Sequence, residues 1–420
     1  MKRIENRRLG ESYVEIDHSS GLKILVMEKP GYKGAFAMFG TNYGSVDTCF
    51  RLQGKDQYTK VPEGIAHYLE HKLFESEELD AFERFAKTGA SANAYTSFDR
   101  TCYLFQCSDH FEENLEILLD FVKSPYFTEQ TVQKEQGIIG QEIRMYQDDP
   151  DWQVQLNLMR AIYHNNPVRI DIAGTIESIA EITADLLYDC YRTFYNNSNM
   201  VLAVAGGIEA EQVLRIADKV LKKEEPVVFE QVFEQEPAQI KQPYIEKKLS
   251  VDLPKFALGF KQTFDSPNRS AKECICMHIA LDIIAGRTSP LYHELLRKGL
   301  INTSFYGSYP CGRGFAVPMF SGESNDAKAV QAAILAKIKE LQQSGISDED
   351  FDRLRKRYYG IEVSAFNEVD DLANQLVDCY FHGETLFDSI EVYRTLTKAD
   401  VEETLRTGFN TENCSLSVVF

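Results

Sequence analysis

Between Lys223 and Pro243 the chain stops reading like folded core: residues 224–243 run EEPVVFEQVFEQEPAQIKQP, with three prolines, many acids and no helical period. Proline fixes φ and removes a backbone donor, so such a stretch joins elements rather than forming one. The chain has 420 residues, more than the roughly 250–300 at which a single hydrophobic core stops growing. The stretch therefore predicts a linker at 226–245, between an N-terminal domain, 1–225, and a C-terminal domain, 246–420.

The two flanks carry the same kinds of element in the same order. Leu22 to Glu28 and Ala35 to Phe39 are β-rich runs on either side of Pro30-Gly31, a strand and hairpin signal. A helix is predicted from near Pro62 to Phe74, a second from about Leu79 to Lys87 ending at Gly89, and a long third from Thr128 to Tyr146. Between the last two, Ser91–Ser97 and Cys102–Cys107 read as paired strands. Asn199 to Ala205 is a further strand, and Glu209 to Lys222 an amphipathic helix. Beyond the linker come a strand (Phe256 to Phe260), a helix (Ser270 to Ile284), short strands (Thr303 to Gly307 and Phe315 to Ser321), more helices and a closing strand from Ser415. No residue-level repeat is visible. The shared order predicts a duplicated α+β architecture, each half an antiparallel-rich sheet covered by helices.

A formal charge of -19, with no block of clustered Lys and Arg such as phosphate binding needs, argues against a nucleic-acid partner. The N-terminal 21 residues have basic side chains but no apolar segment behind them, and no window approaches 18 apolar residues, so neither a secretory signal nor a membrane span is expected. Nine cysteines, odd in number and scattered through apolar stretches, fit buried thiols of a reducing cytoplasm.

The chemistry concentrates in Gly64-Ile-Ala-His67-Tyr-Leu-Glu70-His71-Lys-Leu-Phe74. Two imidazoles at i and i+4 lie one turn apart on one helix face, which suits two nitrogens of one tetrahedral zinc. Glu70 reaches the same side and can take a proton from water at that metal. The order His-x-x-Glu-His inverts the better-known His-Glu-x-x-His. A zinc with three protein ligands needs one more donor. The long helix offers Glu135 and Glu142, nearly two turns apart on one face and set among Gln, Gly and Ile rather than Lys and Arg. Glu142 is the ligand candidate, and Glu135 a carboxylate that could orient a bound imidazole. Read blandly, both are surface acids of a helix.

Together with Ser91-Ala-Asn93-Ala94-Tyr-Thr96-Ser and the following Thr101-x-Tyr103, these segments resemble the pitrilysin/insulinase family of zinc peptidases, including its bacterial members of this chain's length. The resemblance covers most of residues 20–225 and, by element order, the rest. It implies two similar halves of the type found in mitochondrial processing peptidase, a bound Zn2+, ligands His67, His71 and Glu142, Glu70 as base, and Glu135 in support. It further implies hydrolysis of unfolded or precursor peptides, with substrate added as a strand beside Asn93 and Ala94, a mode in which main-chain bonds give affinity without demanding sequence. Some relatives are noncatalytic peptide-binding or scaffold subunits of processing or modification complexes, and these have usually lost a zinc residue.

Three departures stand out. Glu142 follows His71 by 71 residues, slightly short of the family gap, and Lys72 and Glu75-Ser76 replace apolar and Gly residues. The third concerns an Arg and a Tyr that the second half contributes in resembling peptidases. In the matching stretch here, Arg297 stands too close to Gly299, and Asn302 occupies the place of the Tyr; Tyr306, which could be a displaced substitute, is the local alternative to a partner's Tyr. The resemblance thus implies a heterodimer whose related partner subunit supplies both groups.

Overall fold

The structure, a computed structural model, describes residues 1–77, 79–263 and 269–420. The chain folds as two units, and neither is a continuous stretch. One comprises Met1–Ile143, Asp171–Phe233 and Val363–Phe387; the other comprises Arg144–Ile170, Glu234–Glu362 and Asp388–Phe420. A single cut at 226–245 therefore does not separate them. An amphipathic helix buries its stripe on whichever sheet face is open to it, and each half lends such a helix to the other half's sheet.

The first unit contains strands β1 (Lys2–Asn6), β2 (Glu11–Asp17), β3 (Lys23–Glu28), β4 (Ala35–Thr41), β5 (Cys49–Leu52), β6 (Thr59–Lys60), β7 (Ser91–Thr96), β8 (Thr101–Cys107), β9 (Met200–Gly206) and β10 (Phe229–Gln231). Seven of them form one sheet in the order β1-β2-β3-β9-β4-β8-β7. Only β3 and β9 run parallel; the other pairs are antiparallel. The hairpin expected across Pro30-Gly31 is not formed. Strand β9, MVLAVAG and buried along its whole length, lies between β3 and β4 and bonds to both. An all-apolar strand has no solvent face, so it takes the centre of the sheet.

Four helices carry or support the site: α1 (Ile65–Leu73), α2 (Ala81–Thr88), α3 (Phe111–Lys123) and α4 (Glu129–Asp148). Strand β7 ends the sheet order, so one of its edges has no strand beside it among the described residues. The expected linker is partly ordered, since β10 pairs antiparallel with β5.

The second unit repeats the theme with β11 (Tyr244–Lys247), β12 (Lys255–Phe260), β13 (Tyr306–Ser308), β14 (Cys311–Gly312), β15 (Phe315–Ala316), β16 (Met319–Glu323) and β17 (Cys414–Val419). Its five-stranded sheet runs β11-β17-β12-β16-β13, with β14 and β15 as a separate ribbon. Glu236, from the linker, accepts the backbone N–H groups of His164, Asn165 and Asn166 at 2.7–2.9 Å and pairs with Lys261.

The lent helices dock alike. Helix Val369–His382 packs on β4 and β9 of the first sheet, and α5 (Pro150–Ile162) packs on β12 and β17 of the second. Each approach passes over a glycine. A Cβ at Gly40 would stand 3.0 Å from Val377 Cγ1, and one at Gly259 would stand 2.8 Å from Leu158 Cδ2. Any side chain there would push the helix off its sheet. Among the described residues no helix is long and apolar enough to cross a membrane.

Candidate functional site

Helix α1 starts three positions later than the sequence suggests because Gly64 takes φ +87 as its N-cap. A Cβ at Gly64 would also lie 2.4 Å from Ala173 O, so only glycine fits. The helix is nearly enclosed. Ile65, Ala66, Tyr68, Leu69 and Leu73 face the core, while His67, Glu70 and Lys72 are buried polar groups. Tyr68 donates its hydroxyl to Val132 O, which ties α1 to α4.

On α4 the buried stripe is Val132, Glu135, Ile139 and Ile143. A carboxylate within an apolar stripe needs a partner. Glu135 finds it in His71, whose Nδ1 lies 2.9 Å from Glu135 Oε1. An ionised carboxylate only accepts, so Nδ1–H donates and the neutral ring carries its lone pair on Nε2.

That Nε2 lies 3.5 Å from Glu142 Oε2, and His67 Nε2 lies 3.6 Å from Glu142 Oε1. Ligand atoms of the three residues fall within 4.8 Å of one another. These distances are too long for good hydrogen bonds. They match the roughly 3.4 Å that separates two donors held about 2.1 Å from one tetrahedral ion. His67 Nδ1 is buried without a partner. Desolvation, with the charge of His71 adding to it, lowers the His67 pKa to about 3, so this imidazole stays neutral, as a ligand must. For His71, burial opposes the charged form, but the Glu135 hydrogen bond and the nearby carboxylates outweigh it and raise the pKa. The donor set and its spacing fit a zinc ion.

Burial is the main cause raising Glu70's pKa, opposed by Thr96 and His71 and assisted by Glu142. Thr96 Oγ1 donates to Glu70 Oε2 at 2.7 Å. Thr96 stands inside the motif around Asn93, but nothing in that motif assigns it a role; its position on the same strand was the available signal. Asn93 lies mid-strand on β7, exposed, opposite Leu104, with its Oδ1 accepting from Ala94 N–H at 2.8 Å; Ala94 pairs with Tyr103. The two departures from the family pattern at Lys72 and Glu75 are partners: the fully buried Lys72 ammonium pairs with Glu75.

Arg297 and Tyr306 belong to the second unit, where Arg297 is the exposed last residue of helix Pro290–Arg297, and the Tyr306 hydroxyl on β13 accepts from Gln155 Nε2 at 3.2 Å.

The family description "insulinase (peptidase family M16)" matches residues 54–176, and "peptidase M16 inactive domain" matches residues 181–358. The uncharacterized zinc protease YmfH of Bacillus subtilis (strain 168) is 40% identical over 418 residues, which cover 97% of this chain and 96% of that protein. A crystal structure of a candidate M16-like peptidase from Alicyclobacillus acidocaldarius superimposes with a TM-score of 0.94 at 34% identity, covering 97% of this chain and 98% of that one. A protease from Helicobacter pylori shares the fold at a TM-score of 0.83 and 19% identity, covering 97% and 99%.

Proposed function

Because this chain belongs to the insulinase family of peptidases, family M16, we propose that it is a zinc-dependent endopeptidase of extended peptides, unfolded chains or precursor segments. The observation that carries the reading is the convergence of His67 Nε2, His71 Nε2 and both Glu142 oxygens at 3.5–3.6 Å. His67, His71 and Glu142 would hold the zinc, which when bound would supply a Lewis acid to polarise the scissile carbonyl and to lower the pKa of water toward about 7.

The remaining steps belong to the chain's own side chains. Glu135 fixes the His71 ring through Nδ1 and so presents Nε2. Glu70, carrying Thr96 on Oε2, takes a proton from the attacking water on its other oxygen and hands it to the departing amine. The edge of β7 that has no strand beside it among the described residues, with Asn93 and Ala94, offers backbone groups along which a substrate strand adds.

Nine cysteines, odd in number and scattered through apolar stretches, fit a cytoplasmic setting. The second half, matched as an inactive domain, lacks the expected Arg and Tyr spacing around Arg297 and Tyr306. We assign those groups to a related partner subunit in a heterodimer. Co-expression with such a subunit should raise activity far above that of this chain alone; full activity of the lone chain, unchanged in Arg297→Ala and Tyr306→Phe, refutes the partner.

The test of the whole reading is metal analysis joined to a peptide-library digest read by mass spectrometry, on the chain alone and with its partner. About one zinc per chain is expected. Glu70→Gln should keep that zinc and lose roughly 10²–10⁴-fold in turnover, the range for a general base, while Glu142→Gln should lose the metal. A His67→Ala, His71→Ala double variant that retains stoichiometric zinc sinks the assignment.

A further inference from the structure

Thr96 closes strand β7. It pairs with Thr101 in the last register of the β7–β8 ladder, and the next residue, Ser97, bonds back to Arg100 across the turn. Arg100 is in turn fastened by Asp378. The side chain of a β-branched residue on such a ladder has little freedom at χ1.

The Thr96 hydroxyl lies 2.7 Å from Glu70 Oε2. Its other polar neighbour is Thr101 Oγ1 at 3.4 Å, but Thr101 lies 2.9 Å from Tyr43 O. Thr101 has one proton, and the shorter bond to a carbonyl takes it. The Thr96 proton is therefore directed to the carboxylate, which can only accept.

We propose that Thr96 is the positioning residue for Glu70: its hydroxyl locks one carboxylate oxygen and leaves the other oriented to work on water. The proposal rests on the peptidase reading above and deepens it. The strand that offers its free edge to substrate also holds the base, so a peptide seated on β7 is registered against Glu70 by one rigid element. Two groups that must agree within a fraction of an ångström are then fixed by a single backbone.

The experiment compares Thr96→Val and Thr96→Ser with the wild-type chain, in complex with its partner if one is required, using a fluorogenic peptide, zinc analysis and thermal unfolding. Thr96→Val, nearly the same shape without the hydroxyl, should keep its zinc and KM and lose about 10–100-fold in kcat, as is usual when a group supporting a metal site is removed. Thr96→Ser should recover most of the loss. Wild-type kcat in Thr96→Val, or a serine variant as impaired as the valine one, overturns the proposal. A second measurement needs no turnover: a double-mutant cycle of Thr96→Val with Glu70→Ala in thermal unfolding. Non-additive Tm shifts support the contact, and additive ones overturn it. A wild-type protein that cleaves nothing defeats the peptidase reading, and the cycle still decides the Thr96–Glu70 contact.

Discussion

Replacing Glu135 by Ala isolates the support of the metal site from the ligands themselves. The carboxylate is 6% exposed and touches the ring of His71 through a 2.9 Å bond to Nδ1. A hydrogen bond with a charged partner contributes about 1.5–3 kcal/mol. Without it, His71 is free to rotate and to take the tautomer that puts its proton on Nε2. If that whole contribution is lost from the holo state, zinc affinity falls roughly 10–100-fold, since each 1.4 kcal/mol is tenfold. Loss of a metal ligand's support elsewhere falls in the same range. Glu135→Gln can still accept from Nδ1–H through a neutral oxygen, so it should lose less than Glu135→Ala. Competition against a chromophoric zinc chelator at fixed pH measures all three proteins. Wild-type affinity in Glu135→Ala would show that His71 is oriented by packing alone and refute the reasoning.

Two further outcomes follow from polar groups outside the metal cluster. Burial raises the pKa of Glu236, but the amides of His164, Asn165 and Asn166 and the Lys261 ammonium overcome it, so the folded value lies below the ordinary one. The native state then binds fewer protons than the unfolded state, and the stabilisation is complete above the unfolded value of about 4.3 and lost as pH falls through the folded one. The Tm gap between wild type and Glu236→Gln should therefore be widest near neutrality and close on acidification; a gap that persists at the acid end contradicts the account. Glu75→Ala leaves the Lys72 ammonium buried without its partner and should cost about 3 kcal/mol in urea unfolding, with Lys72→Met on top of it recovering most of the loss; no recovery in the double variant means that Lys72 is held by something else.

What the sequence makes legible here is what is local or carried by a motif. His67, Glu70 and His71 share one helix, where spacing alone decides which face they occupy, and the β7–β8 pair is separated only by a short turn. Gly89, read as a helix end, adopts φ 74 after α2. Glu135 was legible in a second way, as an acid in register with Val132, Ile139 and Ile143, the buried stripe of α4. Ile138 and Met145, apolar by type, instead stay 47% and 59% exposed. Pairings made across long stretches of chain were not legible. The β3–β4 hairpin reading failed because the partner of both strands arrives with β9, some 160 residues after β4. The acidic linker hid an anchor because nothing local distinguishes Glu236 from its neighbours; only the amides of 164–166 give it a role.

The exchange of helices between halves has a consequence for how the protein is made. Helix Val369–His382 covers β4 and β9 over Gly40, yet it leaves the ribosome after nearly nine-tenths of the 420 residues. Domains usually fold in order of synthesis, at roughly 5–20 residues per second. Here the seven-stranded sheet waits with one face bare for on the order of ten seconds or more after β9 has emerged. During that interval it is a client for any chaperone that binds exposed apolar strands. A nascent chain truncated just before residue 369 should be held by such a chaperone, whereas one extended past residue 387 should be released.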